Sequence, residues 1–272
     1  MERHSLITAL LVVTFAATSL EARVKRGDWR IIGGSVSTLG QHPWQAAILY
    51  TPDFRSVKYI CGGALIDATT VVTAAHCFDE NEDPKHYLVT TGTLSLKTKF
   101  QEKRTTRAIK LTFHEDRLFD PDGYDIAIIK LRKPLLLDEY ASALALPESV
   151  NDRAKVNDTC YVAGWGATTP TQGKQSSTAL LYTDLKIRNN AYCDRVYPRS
   201  RVQAEHVCAG GYTTNKNACK GDSGSPLVCM RNGHWVFEGV LSYGQRICGK
   251  YGIPTVYTSI AYYRDWIEEF RV

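Results

Sequence analysis

The chain has 272 residues, 44% hydrophobic and 22% charged, with a formal net charge of +5. That is enough apolar material for one large domain or two small ones, and it excludes disorder as the main state. Five basic and three acidic residues fall within 1–30, leaving only +3 on the remainder. So weak and dispersed an excess gives no footing for nucleic acid or for an anionic membrane.

Arg3 precedes a 12-residue apolar run from Leu6 to Ala17, shorter than the ~20 residues that cross a bilayer. A basic start followed by a short apolar core reads as a secretory signal over residues 1–22, with no clean cleavage pattern among Ala17, Ser19 and Ala22. No later stretch is apolar enough to span a membrane, so a soluble, secreted, extracellular molecule is expected. Residues 23–30 form a short basic segment ending at Arg30.

Beyond residue 30 the sequence breaks into short apolar or alternating runs. They include Ala46–Leu49, Val71–Ala75, Tyr87–Thr90, Ile126–Leu131, Cys160–Ala163, Leu227–Met230, Val236–Leu241 and Thr255–Thr258, with Gly, Pro, Asn and Asp between them. Short strands at close spacing predict an all-β barrel or sandwich. At the end, Ile260, Tyr263, Ile267 and Phe270 recur at three- and four-residue steps among charged residues, which predicts an amphipathic C-terminal helix.

Eight cysteines, Cys61, Cys77, Cys160, Cys193, Cys208, Cys219, Cys229 and Cys248, all lie beyond the signal segment. An even number in an exported chain predicts four disulfides. No Cys-x-x-Cys or paired-His spacing supports zinc, and spacing alone leaves the pairing open. Asn157-Asp158-Thr159 is an N-glycosylation sequon directly before Cys160.

Three local signals carry chemistry: Thr73-Ala74-Ala75-His76-Cys77, Asp125-Ile126-Ala127-Ile128, and Gly221-Asp222-Ser223-Gly224-Ser225-Pro226. Singly they read as a structural histidine, a strand cap and a tight turn. In the order His, Asp, Ser, within an exported β-rich chain, they resemble the chymotrypsin/trypsin-like serine endopeptidases. Further matches fall in family order. They are Ile31-Ile32-Gly33-Gly34, Gln41-His42-Pro43-Trp44-Gln45, Cys61-Gly62-Gly63-Ala64-Leu65-Ile66, Gly164-Trp165-Gly166, Ser242-Tyr243-Gly244 and Val256-Tyr257-Thr258. The resemblance covers residues 31–272.

It implies two six-stranded antiparallel β-barrels, over 31–145 and 146–272, with the C-terminal α-helix at the end of the second. It implies that Ser223 attacks the peptide carbonyl, because a serine hydroxyl needs an adjacent base near neutral pH. His76 would be that base, and Asp125 would hold its tautomer. Ser242 would hydrogen-bond Asp125, and the N–H groups of Gly221 and Ser223 would form the oxyanion hole. The cysteines would pair as 61–77, 160–229, 193–208 and 219–248. Residues 23–30 would be an activation propeptide. An Arg-specific protease cutting after Arg30 would free the Ile31 amine to pair with Asp222.

Trypsin-like members carry an aspartate six residues before the serine. Here that position is Asn217, followed by Ala218, so no fixed charge awaits a substrate Lys or Arg. Gly244 keeps the pocket mouth open, Thr255 stands where many members have Gly, and Tyr243 replaces a Trp as the aromatic wall. The resemblance therefore implies a shortened neutral pocket and cleavage after uncharged residues. Ser225 replaces a family Gly whose backbone angles can be special, and Lys220 at the pocket rim is read as a solvated lysine, with a preference for acidic groups on the primed side as the alternative. The Gly92–Glu102 loop lacks paired carboxylates, so no calcium, other metal or cofactor is expected. The expected partners are protein or peptide substrates and protein protease inhibitors; nucleic acid and membrane are not expected, and the state expected is a monomer. The alternative is an inactive homologue used as a binding or cofactor module, disfavoured because His76, Asp125 and Ser223 are all present.

Overall fold

The computed structural model of the protein describes residues 33–78, 82–97, 103–118, 124–168, 177–198, 202–213, 216–244 and 248–271. The expected signal (1–22) and propeptide (23–30) segments, with Arg30 and Ile31, lie outside the described residues. The strands are β1 (Ser35–Val36), β2 (Gln45–Tyr50), β3 (Lys58–Asp67), β4 (Thr70–Thr73), β5 (Tyr87–Thr91), β6 (Thr105–Phe113), β7 (Ala127–Leu131), β8 (Thr159–Gly164), β9 (Leu181–Arg188), β10 (His206–Ala209), β11 (Pro226–Arg231), β12 (His234–Tyr243) and β13 (Thr255–Ser259). The helices are α1 (Asn190–Val196) and α2 (Arg264–Phe270).

β2, β3, β4, β7, β6 and β5 close into one antiparallel barrel. β9, β10, β13, β12, β11 and β8 form a second, closed by the β8–β9 ladder. Closure leaves neither set of six strands an open edge. β1 adds to β9, with Ser35 opposite Tyr182, so the chain enters along the second sheet before it builds the first barrel.

Side-chain alternation explains how one sequence fills several cores. In β9, Leu181, Thr183, Leu185 and Ile187 are buried while their neighbours are more exposed, the two-residue period of a strand with one wet face. β2 is buried on both faces. Its Ala46 and Ile48 join the interior of the first barrel, whereas Ala47 and Leu49 pack on Trp165 and Leu180 beside the second. A third core forms the seam between the barrels. There Trp44, Ile128 and Val72 meet Phe237, Val228 and Val240, and Ile260, Tyr263 and Ile267 from the chain end complete it. Each such side chain contributes about 2 kcal/mol when buried, so the seam holds the two barrels in a fixed relation.

α2 is shorter than the apolar stripe suggests. Ile260 and Tyr263 lie in the turn before it, and only Ile267 is buried within it. A seven-residue helix is unstable alone; packing on the seam and a hydrogen bond from Lys130 Nζ to Arg271 O at 2.6 Å fix it. Among the described residues no helix is long and apolar enough to cross a membrane.

Four disulfides join Cys61 to Cys77, Cys160 to Cys229, Cys193 to Cys208 and Cys219 to Cys248. Cys160 and Cys229 are register partners on β8 and β11. Cys61–Cys77 ties β3 to the 3₁₀ turn Ala75–Phe78 that carries His76.

Candidate active site

The cleft between the barrels is assembled from strand ends and turns. His76 sits in the 3₁₀ turn after β4, and Asp125 immediately precedes Ile126 and β7. β4 and β7 are paired, with Thr73 opposite Ala127, so the ends that carry the two residues lie side by side. Asp125 Oδ1 accepts from His76 N at 2.9 Å, and Oδ2 lies 2.8 Å from His76 Nδ1. Ser242 Oγ donates to the same Oδ2 at 2.5 Å, and Thr258 Oγ1 donates to the Asp125 carbonyl at 2.8 Å. Burial would push the Asp125 carboxyl up, but the hydrogen bonds from His76 and Ser242 and the nearby imidazole hold it below the usual carboxylate range. A buried carboxylate with these donors fixes the ring and leaves Nε2 as the remaining ring nitrogen.

Ser223 stands at the end of a tight turn before β11. His76 and Ser223 both line a cleft of about 210 Å³. Gly62 N donates to Ser223 O at 2.8 Å, which docks the serine turn of the second barrel on β3 of the first. Gly221 has φ +91 and Gly224 has φ +77, a left-handed backbone that glycine adopts without strain. Among the described residues the N–H groups of Gly221 and Ser223 donate to no backbone or side-chain acceptor.

Asp222 is fully buried. Its carboxylate accepts from Gly166 N at 2.8 Å and Cys219 N at 2.9 Å. A Cβ at Gly164 or Gly166 would come within 2.2 or 2.5 Å of this carboxylate, so the glycines on either side of Trp165 make room for it. Burial pushes its pKa up to about 6 despite those two donors, and among the described residues no cation pairs with it.

A recess of about 160 Å³ opens on the other side of Ser223. Ala218, Ser242, Tyr243, Gly244 and Thr255 line it, with Lys220 and Cys219–Cys248. Asn217 does not line it. Its Oδ1 accepts from Thr255 Oγ1 at 2.7 Å and Ala218 N at 3.0 Å, and its Nδ2 donates to Ile253 O at 3.1 Å. The amide is therefore spent on holding the wall, and Thr255 is what the recess meets. A Cβ at Gly244 would lie 3.4 Å from Thr255 Oγ1, which measures how closely Thr255 approaches the opposite wall.

Ser225 is buried without a positive φ. The backbone does not demand glycine there; the added Oγ is accommodated because Gly62 lacks a Cβ opposite it. Asn157 is exposed in a left-handed turn with φ +75, and Tyr212 OH donates to its Oδ1 at 3.0 Å. Cys61, His76 and Cys77 come within ligand distance of one another, but the two sulfurs are joined to each other.

Two residues that the sequence patterns do not mark support or line the cleft. Tyr59 OH donates to Gly221 O at 2.7 Å, and Lys58 lines the 210 Å³ side. Neither has a local signature, because the partner that gives each its meaning is more than a hundred residues away.

A double barrel with a His–Asp pair and a serine turn facing each other in its cleft defines a structural class. The trypsin family profile matches residues 31–267, and the chain belongs to that family. It is 33% identical over 240 residues to coagulation factor XI of Bos taurus, covering 88% of this chain and 37% of that protein. It is 33% identical over 269 residues to tissue-type plasminogen activator of Bos taurus, covering 90% and 45%. It is 32% identical over 250 residues to human testisin, covering 88% and 77%. The chain thus spans less than half the length of the first two relatives.

Proposed function

We propose that the protein is a secreted serine endopeptidase in which Ser223, His76 and Asp125 act as one catalytic unit. The observation that carries this is the chain Ser242–Asp125–His76 at hydrogen-bond distances, facing Ser223 in a shared cleft. Ser223 Oγ attacks the scissile carbonyl as His76 Nε2 takes its proton. The amine leaves with that proton, and water hydrolyses the acyl-enzyme by the same steps in reverse roles. The unengaged N–H groups of Gly221 and Ser223 receive the oxyanion, each such donor lowering the barrier by roughly 3–4 kcal/mol.

The chain is made as a zymogen, with residues 1–22 as signal and 23–30 as propeptide. The buried Asp222 supports this reading. An uncompensated internal carboxylate is costly, and cleavage after Arg30 by an Arg-specific protease supplies the Ile31 ammonium that it lacks. The recess at Thr255 supports cleavage after uncharged residues of small or medium size. The expected partners are protein or peptide substrates and protein protease inhibitors.

The test is Ser223→Ala in the activated chain. Amide hydrolysis and labelling by a fluorophosphonate should both vanish while the melting temperature stays near the parent's. Hydrolysis that persists in a clean preparation refutes the assignment.

A further inference from the structure

The 210 Å³ side of the cleft holds a charge that the proposed chemistry does not use. Its walls are neutral at Tyr50, Ile60, Tyr87 and the Cys61–Cys77 bridge, and among the described residues Lys58 is the one lysine or arginine in its lining. Among the described residues no carboxylate lines this side and none pairs with Lys58. Lys58 is exposed at the start of β3, opposite Tyr50 of β2.

The strand sets its place relative to the reacting serine. Gly62 is bonded to Ser223 O, and Lys58 lies four steps back along β3, at most about 13 Å at about 3.3 Å per residue. Ile60 is the extra residue of a bulge in β3, between Cys61 opposite Ile48 and Tyr59 opposite Leu49, and Ile60 and Lys58 both line the cleft. An extended peptide advances by the same step. With the residue before the scissile bond in the recess at Thr255, the second or third residue after it arrives beside Lys58.

We propose that Lys58 makes this side of the cleft a subsite for an acidic side chain, selecting substrates with Glu or Asp at the second or third position after the cleaved bond. The inference rests on the endopeptidase reading above. The neutral walls accept the methylene part of such a side chain, and no carboxylate among the described lining residues competes for the ammonium. An exposed pair of this kind is modest and screened by salt, so the preference is about two- to fivefold in kcat/KM at low ionic strength.

The experiment uses the activated full chain and quenched-fluorescence peptides identical except for Glu, Gln or Lys at the first, second or third position after the bond. The ratio of Glu to Gln is read within each variant, so changes in overall activity cancel. The parent should favour Glu at the second or third position, and the ratio should fall towards one in 1 M salt. Lys58→Gln should bring the ratio to about one, and Lys58→Glu should invert it. Lys220→Gln, on the opposite side of Ser223, should keep it. Equal rates for Glu and Gln in the parent, or a Glu preference that survives Lys58→Glu, overturns the inference while leaving the endopeptidase standing. If no peptide is cleaved and no fluorophosphonate labels Ser223, the endopeptidase reading fails and this inference fails with it.

Discussion

Tyr59 and Gly221 are 162 residues apart in sequence, yet the tyrosine hydroxyl donates to the glycine carbonyl at 2.7 Å. The bond links β3 of the first barrel to the turn that leads into Ser223. Burial and the charge of Asp222 push the Tyr59 hydroxyl well above its ordinary pKa, so it remains a donor at every working pH. Edge-on packing against Trp165 at 5.8 Å holds the ring in place. Tyr59 is thus a positioning residue for the turn whose N–H groups are proposed to receive the oxyanion.

Tyr59→Phe keeps the ring and removes the donor. kcat should drop about tenfold with KM nearly unchanged, the signature of a loss felt mainly in the transition state. Steady-state kinetics alongside a melting curve checks it. A loss of thermal stability with kcat intact would reduce Tyr59 to a packing role.

Gly62 and Ser225 form a coupled pair. A Cβ at Gly62 would stand 2.0 Å from Ser225 Oγ and 3.0 Å from Gln45 Nε2. Gly62→Ala should therefore destabilise the protein by roughly 2–3 kcal/mol through overpacking. Ser225→Gly in the same chain should recover much of that loss, because it removes the atom struck. Denaturant unfolding of the two single variants and the double one measures the coupling. Strict additivity would mean that the clash is relieved elsewhere.

The barrels were legible in the sequence where apolar runs are continuous, as in β2, β7 and β12, whose residues are buried on both faces or nearly so. β9 and β6 are harder to recognise. β9 mixes Asp184, Lys186 and Arg188 into its wet face, and the outward side chains of β6 include Arg107. β3 contains two glycines, yet it is a ten-residue strand with Cys61–Ile66 all buried. Glycine is disfavoured in strands on propensity, and here tertiary contact overrides it. Gly62 and Gly63 are there because Ser225 and Val71 occupy the space of a Cβ. The residues of the candidate site were legible because His76, Asp125 and Ser223 each sit in a short distinctive motif. Asn217 shows the limit of that approach. Its position in the motif places it at the pocket, but its hydrogen bonds to Thr255, Ala218 and Ile253 come from chain segments whose proximity only the fold reveals.

Asp222 and His42 give the uncleaved chain two opposed pH dependences. Asp222 is raised by burial to about 6. The folded state then keeps a proton that the unfolded chain releases, and stability falls as pH rises from about 4 to about 6, by about 3 kcal/mol. His42 is lowered by burial to about 4. The unfolded chain holds the extra proton there, so stability rises between about 4 and about 6.5. The parent should therefore show a shallow net dependence in this window. Asp222→Asn should remove the larger falling contribution, leaving only the smaller one of the buried Glu238, so stability should rise from pH 4 to pH 6.5 more steeply than in the parent. Melting temperatures across this range check it, and a variant profile parallel to the parent's would show that Asp222 does not titrate there.

Thr255 lines the recess, and specificity should follow the room it leaves. Its hydroxyl is bonded to Asn217 Oδ1, and its side chain reaches within contact distance of the space above Gly244. The parent should cleave after Leu, Met or Ala far faster than after Lys or Arg. A cation entering this recess loses hydration worth several kcal/mol, and among the described lining residues none carries a negative charge to return it, Lys220 being itself a cation. Thr255→Gly should deepen the space and raise kcat/KM for Phe or Tyr relative to Ala by about tenfold, at a stability cost of about 1 kcal/mol for the lost hydrogen bond. Asn217→Asp alone should do little for Arg substrates. The new carboxylate would stay behind the wall, still accepting from Thr255 and Ala218 N. Only the double variant, with Thr255 removed, opens a path from the recess to that charge. A series of substrates differing solely in the residue before the scissile bond measures all four enzymes. A large Arg gain in Asn217→Asp alone would show that the wall moves aside, and an unchanged Phe-to-Ala ratio in Thr255→Gly would show that another surface sets the depth.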